Sequence, residues 1–430
     1  MLTEFHLYSA SIGLIGGVIG GLLPGFGNLM TMLILTPWII HLPPIDLIIC
    51  YAVMTQISQF VGSLTSVFTG VPGEASSMPT VKEIKRVPID KFGEVVANTA
   101  VGSVFAALIT VLFCWVFLSQ FENIAFFFRT EVVWLLFVIA MFFIVKYSDN
   151  TKIENILLLL LGFVIGQVGW NNRFGVGVMT FGIPELYQGV PMELIMVCLF
   201  ALPQLYQMGK VKMDSSSIAK IPFAWPTVNY IKLTWYSALG FVGGLVPGLT
   251  TVFSSQVAYA SACAKTNDPI ERIVASETAN NSGAISQLIP LLVLGLPLVA
   301  SEAYILSMME TKNFLAGPEA GVEYFLLIIP ALVISAIAGT IVAWPLASKI
   351  LAILRVRMVI FRTVMLAILF GYIIWQGVLD RNLLYVLSLM LLLTIVGWLV
   401  RNKDTTGLVF GFFISHKILD HSLRLFDLYI

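Results

Sequence analysis

The chain has 430 residues, 58% of them apolar and only 11% charged, with a formal net charge of zero. A soluble domain carries about 25% charged residues, and no soluble fold of this length hides so much apolar surface behind so little charge. Soluble enzyme classes are thereby excluded, the absence of a basic excess argues against a nucleic-acid partner, and lipid is the solvent for most of the chain.

In chain order, the start MLTEFHLYSA lacks the basic region of a cleaved signal peptide, so the first apolar segment is read as part of the mature protein. Apolar runs follow near 8–40 (interrupted), 47–70, 95–118, 131–146, 154–170 and 190–208. They continue near 232–263 and 274–308 (both interrupted), 323–345, 361–378 and 383–400, with a shorter run at 405–415. Depending on how the interrupted runs are taken, these make about 11 to 14 membrane segments. The predicted class is an all-α polytopic membrane protein. Cys50, Cys114, Cys198 and Cys263 stand singly in apolar surroundings, without CxxC or metal spacing, and read as small helix residues.

Charge between the runs sets orientation, because cytoplasmic loops are enriched in Lys and Arg. Segment 79–93 carries Lys82, Lys85, Arg86 and Lys91, segment 209–232 carries Lys210, Lys212, Lys220 and Lys232, and segment 346–362 carries Lys349, Arg355, Arg357 and Arg362. All three are expected in the cytoplasm. The N-terminus, with Glu4, and the loop bearing Glu310, Glu319 and Glu323 are expected outside.

Two apolar helices are broken by the same words: GGLLPGFG at 20–27 and GGLVPGL at 243–249. A second pair is TGVPGEAS at 69–76 and LGLPLVAS at 294–301. Pro24 and Pro247 are 223 positions apart, Pro72 and Pro297 are 225 apart, and the polar break HLPPID at 41–46 maps onto AKTNDP at 264–269 by the same 223. The charge pattern gives the two copies opposite orientations. Inverted-topology repeats with Gly/Pro-broken helices or re-entrant hairpins are the signature of a secondary transporter. Residues 1–93 are expected to form the first repeat core, 94–209 scaffold helices, 210–322 the second, inverted core, and 323–430 C-terminal scaffold helices.

A helix broken at membrane depth bares N–H and C=O groups that are tolerable only against a wet cavity or a ligand. Pro24, Pro72, Pro247 and Pro297 are the structural breaks. Candidates for binding a small anion are Gly25, Gly27, Asn28, Gly73, Gly248, Thr250, Thr251, Asn280 and Asn281, and those for ion coupling are Glu74, Glu277, Ser58 and Asn280. Bland readings stand beside these. A lone Pro-Gly is a kink or packing device, Glu74 an acid capping a restarted helix, and Glu277 an acid near an interfacial helix start. No HExxH, Cys–His cluster or phosphate loop occurs, so the chain carries no machinery of its own for ATP hydrolysis. A membrane-embedded enzyme is a remote alternative, its nearest candidate stretch (171–185) offering only Arg173 and Glu185.

The series GGLLPGFGNLMT, TGVPGEASSMPT, GGLVPGLTTV, ETANNSGAISQLIPLLVLGLP and FLAGP resembles the large membrane subunit of the tripartite tricarboxylate transporters, in order over 13–100 and 237–320. The resemblance implies an inner-membrane carrier moving a carboxylate inward with Na⁺ or H⁺. It also implies a small membrane subunit and an extracytoplasmic solute-binding protein as partners, with a homodimer left open. By position it carries over Pro24, Gly25, Gly27, Gly70, Pro72, Gly73, Glu74, Pro247, Gly248, Glu277, Asn280, Asn281, Gly295 and Pro297. The family's final glycine in the second Gly-x-Pro-Gly is Leu298 here, and its Tyr-Gly-Gly reads Phe60-Val61-Gly62. A transport-inactive relative serving as receptor or assembly partner is therefore the second reading.

Overall fold

The computed structural model describes residues 4–23, 27–69, 74–119, 130–147, 150–171, 175–202, 224–245, 251–379 and 382–429. The architecture is mostly helical. Helices α1 (Glu4–Leu22), α2 (Gly27–Ile39) and α3 (Pro44–Thr69) are followed by a short turn of 3-10 helix (Ala75–Ser77), α4 (Met78–Ile84) and α5 (Phe92–Ser119). After α6 (Thr130–Tyr147) and α7 (Lys152–Gly166) comes α8 (Met192–Ile195), which continues as a π-helical stretch, Met196–Ala201. The second half opens with α9 (Tyr230–Leu245), α10 (Thr251–Cys263), α11 (Pro269–Ser286), α12 (Leu288–Leu294) and α13 (Ala300–Glu310). It closes with α14 (Pro318–Leu379), α15 (Leu383–Leu399) and α16 (Thr406–Tyr429).

Among the described residues, three helical stretches are long and apolar enough to cross a bilayer: Pro44–Phe68, Ile89–Leu118 and Pro318–Ile341. Shorter apolar helices cover His6–Leu22, Gly27–Ile39, Trp134–Lys146, Leu366–Leu379 and Leu383–Leu399.

Among the described residues, α1 ends at Leu22 and α2 starts at Gly27, which turns at φ 65°, whereas the breaks expected at 70–73 and 246–250 lie outside the described residues. In the second half α12 ends at Leu294, Gly295 takes the left-handed conformation (φ 61°), and α13 starts at Ala300. The extra interruption at Gln287 has a local cause: Pro290 has no N–H to give the carbonyl of Ser286, so the ladder cannot run through.

Helix boundaries recur at nearly the sequence offset, with α1, α2 and α3 matched by α9, α10 and the pair α11–α12. So do the contacts. A Cβ added at Gly17 or Gly21 of α1 would lie 2.6 Å from the carbonyl oxygen of Met54 or Ser58 in α3. At positions 223 later, Gly240 and Gly244 of α9 press equally hard on the carbonyls of Ala279 and Gly283 in α11, each 225 after its counterpart. Gly20 abuts the Thr31 hydroxyl, and Gly243 abuts that of Ser254. Backbones this close need glycine at the seam.

The all-α reading fits the mostly helical architecture, to which the structure adds a small antiparallel hairpin, β1 (Gly169–Asn171) with β2 (Val176–Val178), Trp170 facing Gly177. Its segment is too glycine-rich for a helix, and Gly175 turns it at φ 62°. One expectation is corrected: the apolar runs at 323–345 and 361–378, expected as separate segments, belong to one 62-residue helix. Between them the basic stretch is rich in Leu, Ala, Ile, Lys and Arg, good helix formers, and Pro345 is the single breaker. At 1.5 Å per residue such a helix is about 93 Å long, roughly three times a hydrocarbon core.

Helix α11 occupies the centre. Asp268 caps it, accepting from the Ile270 N–H at 3.0 Å, and Pro269 begins it. It packs on α3, α4, α5, α9 and α10. Every residue from Ile273 to Ser286 is buried, although the stretch reads Ser-Glu-Thr-Ala-Asn-Asn-Ser-Gly. A strongly polar helix is thus enclosed almost throughout.

Candidate functional site

A polar helix inside an apolar body must satisfy its side chains from neighbouring elements. Glu277 lies on the third turn of α11, fully buried, and accepts hydrogen bonds from Ser63 of α3 and Thr80 of α4. The reading of Glu277 as an interfacial helix start does not hold, because α11 begins two turns earlier, at Pro269. Asn281, one turn on, donates from Nδ2 to Ser103 Oγ of α5 (3.0 Å) and to the Glu277 carbonyl (2.9 Å), and its Oδ1 accepts from Gln56 Nε2 at 3.3 Å. Gln56 and Asn281 are 225 positions apart, the same spacing as Pro72 and Pro297.

Asn280 differs. It is fully buried beside Glu277 and, like the Ser77 hydroxyl, lies within loose reach of the Glu277 carboxyl without forming a well-aligned hydrogen bond. A buried amide so loosely held is available to a ligand or a water.

A second cluster sits at the breaks of the first half. Ser58 Oγ donates to Glu74 Oε1 (2.6 Å) and lies 2.5 Å from Asn28 Oδ1. One hydroxyl proton cannot serve both acceptors, so the Asn28 amide fits turned over, its NH₂ donating to Ser58. Gly62 packs beside Glu74, where a Cβ would make an ordinary contact with the Glu74 Cγ at 3.5 Å. Gly27, at φ 65°, has nothing within 4 Å of where a side chain would point, so glycine serves the turn there rather than packing. Thr251 is buried at the start of α10.

The structure therefore brings Asn28, Ser58 and Glu74 together, and separately Glu277, Asn280 and Asn281. Pro297 lies in the described break between α12 and α13. Pro24, Gly25, Gly70, Pro72, Gly73, Pro247, Gly248 and Thr250 lie outside the described residues. Leu298 is not among the described non-glycine residues with positive φ, and its N–H bonds to Glu302. Its backbone conformation does not call for the family's glycine.

Sequence reasoning missed several partners. Gln56, Thr80 and Ser103 each share their helix with other polar residues, and only the fold shows that these reach α11 or its partners. Glu302 is also buried, bound through Oε2 to the N–H groups of Leu298 (2.6 Å) and Val299 (3.3 Å). Its signal was readable, as an acid in the first turn of a helix restarting after Gly-x-Pro.

Outside the apolar spans, a charged cluster ties the two halves together. Glu83 of α4 accepts from Tyr259 of α10 (2.7 Å), from Arg86 (2.6 Å) and from Arg272 of α11 (3.4 Å). Burial opposes its ionisation, but the Tyr259 and Arg86 hydrogen bonds and the charges of Arg86 and Arg272 hold the carboxyl below the usual carboxylate range. Beside it Ser255 of α10 donates to the Ser76 carbonyl at 2.6 Å. Where α2 and α3 meet α13 the ties are neutral: Thr36 of α2 with Tyr304 (2.8 Å), and Tyr51 of α3 with Ser301 (3.0 Å). Among the described residues no Lys or Arg is buried, and no three His, Cys, Asp or Glu side chains gather as metal ligands.

Comparison with known proteins matches this architecture to a transporter family rather than an enzyme family. The model of the tripartite tricarboxylate transporter TctA family matches residues 7–408. A protein of Agrobacterium vitis described as an uncharacterized 52.8 kDa protein in the TAR-I ttuC′ 3′ region is 25% identical over 335 residues. The match covers 74% of this chain and 66% of that relative's length. No solved structure matches. With nearly its whole length covered by the family model, the chain belongs to the tripartite tricarboxylate transporter TctA family.

Proposed function

We propose that this chain is the large permease subunit of a tripartite system and carries a small carboxylate across the cell inner membrane together with Na⁺ or H⁺. The two halves act as inverted repeats, with the N-terminus outside and the loop 79–93 in the cytoplasm. A small membrane subunit and an extracytoplasmic solute-binding protein are its partners. The observation that carries this reading is α11, a buried polar helix holding Glu277, Asn280 and Asn281 against Ser63 and Thr80 of the first half.

The charges supply the logic of coupling. Glu277 and Glu302 are buried and Glu74 partly so, with no buried base described to balance them. An anion cannot approach ionised acids in a medium of low dielectric without severe repulsion. A cation bound first removes that repulsion, so carboxylate entry depends on the cation. The loosely held amide of Asn280 then offers the incoming carboxylate a donor, and the Glu277 side, lined by hydroxyls, holds the cation.

Purified protein in proteoliposomes, given a labelled tricarboxylate under a Na⁺ or a H⁺ gradient, tests this. Asn280→Ala and Asn281→Ala are each expected to abolish uptake while expression and insertion persist. Wild-type uptake by both variants would remove α11 from the site.

A further inference from the structure

Glu302 belongs to no cluster described above. Its side chain has no exposed surface, and its two oxygens are treated unequally. Oε2 takes both backbone N–H groups at the start of α13, whereas Oε1 is buried with no hydrogen-bond partner. The cap explains the first oxygen and leaves the second free. An uncompensated charge at that depth costs several kcal/mol, and none of the described residues gives Oε1 a positive partner.

The neighbours bear this out. Helix α13 packs on α2, α3 and α16. Helix α2 has no ionisable residue. From α3 comes Tyr51, which bonds Ser301 and lies within electrostatic reach of both Glu302 and Glu74. On α16 the nearest base to this break is Lys417, engaged with Glu310 Oε1 (3.0 Å) and the Gly295 carbonyl (3.3 Å), with His416, Asp420, His421 and Arg424 on the same helix. Tyr304 and Glu310 are the other ionisable groups of α13 itself. None of these hydrogen-bonds Glu302 Oε1.

We propose that Glu302 is a second monovalent-cation site, distinct from Glu277, at which Oε1 takes up a proton or a sodium ion. Its place in a transport cycle rests on the carrier reading above; cation binding does not. Each half then has an acid just past its second break, Glu74 in the first and Glu302 in the second, with Tyr51 between them. Loading both Glu277 and Glu302 makes two cations accompany each substrate.

The test is infrared difference spectroscopy of the purified full chain, with no substrate present. Sodium chloride is exchanged against choline chloride in one arm, and the pH is stepped at constant sodium in the other. The wild type is expected to show a carboxyl difference band in one of the two arms that Glu302→Gln loses and Glu277→Gln keeps. The glutamine retains an oxygen for the Leu298 and Val299 N–H groups. Should it fail to fold, Glu302→Asp is expected to keep the band at a displaced position. A wild-type spectrum with no carboxyl band in either arm overturns the proposal, as does a Glu302→Gln band unchanged in both arms or an undisplaced aspartate band. In proteoliposomes, Glu302→Gln is expected to lose one cation per substrate carried. A wild type that shows the band but carries no substrate would sink the carrier reading and leave the site standing.

Discussion

Asn280 and Asn281 are adjacent amides with opposite duties, and substitution should separate them. Asn281→Ala leaves Gln56 and Ser103 short of partners in a dry interior, a loss of about 1–3 kcal/mol, visible as a lower thermal midpoint in detergent. Asn280→Ala removes only a loose contact with Glu277, so its midpoint should fall less than that of Asn281→Ala while carboxylate binding disappears. Glu83 gives a pH prediction. Its folded carboxyl lies below the ordinary range, so its contribution is present above the unfolded value, about 4.3, and is lost as the pH falls through the folded one. Wild-type stability should drop on acidification over that window, and Glu83→Gln should flatten the drop; an equal slope in both would refute the assignment. At this scale the sequence was half legible. Ser276–Gly283 announced itself as polar residues in an apolar setting. The groups that satisfy it, Ser63, Thr80, Gln56 and Ser103, sit on other elements, far away in the chain, and nothing in local pattern ranks them above their neighbours.

Among elements, the glycine seams decide how closely α1 approaches α3 and α9 approaches α11. Gly21→Val and Gly244→Val should each force the helices apart and lower stability, overpacking of this kind costing about 1–3 kcal/mol. Because the contacts recur at the repeat offset, the two variants should behave alike, and a severe effect of one with no effect of the other would break the equivalence. The helix breaks were legible because Gly and Pro act locally through φ and the missing N–H. The run-on of α14 was not. Charge marks a loop only when the backbone also has a reason to stop, and Lys and Arg are good helix formers. The β1–β2 hairpin was likewise invisible to a reading based on apolar run length.

For the molecule as a whole, orientation is the open quantity. Single cysteines placed at Asp90 and at Asn313, in a background without the four native cysteines, should label from opposite sides with a membrane-impermeant thiol reagent. Position 90 should react from the cytoplasm and position 313 from outside. Labelling of both from one face would end the inverted arrangement. The duplication could be suspected from spacing alone. The meeting of Gln56 with Asn281 could not, because it depends on how the halves face each other.

In the inverted arrangement proposed above, that meeting would lie near the axis between the halves, and the ties on either side of it differ in strength. Tyr259 and Thr36 are 223 positions apart, but the first holds the ionised Glu83 with Arg272 alongside, and the second only the phenol of Tyr304. Bonds to charged groups contribute about 1.5–3 kcal/mol, neutral ones about 0.5–1.5. An empty molecule should therefore come ajar first at the Thr36–Tyr304 side, which in the orientation proposed is where cargo arrives. The bolt on the cytoplasmic side would stay shut until something inside gives it cause to slide.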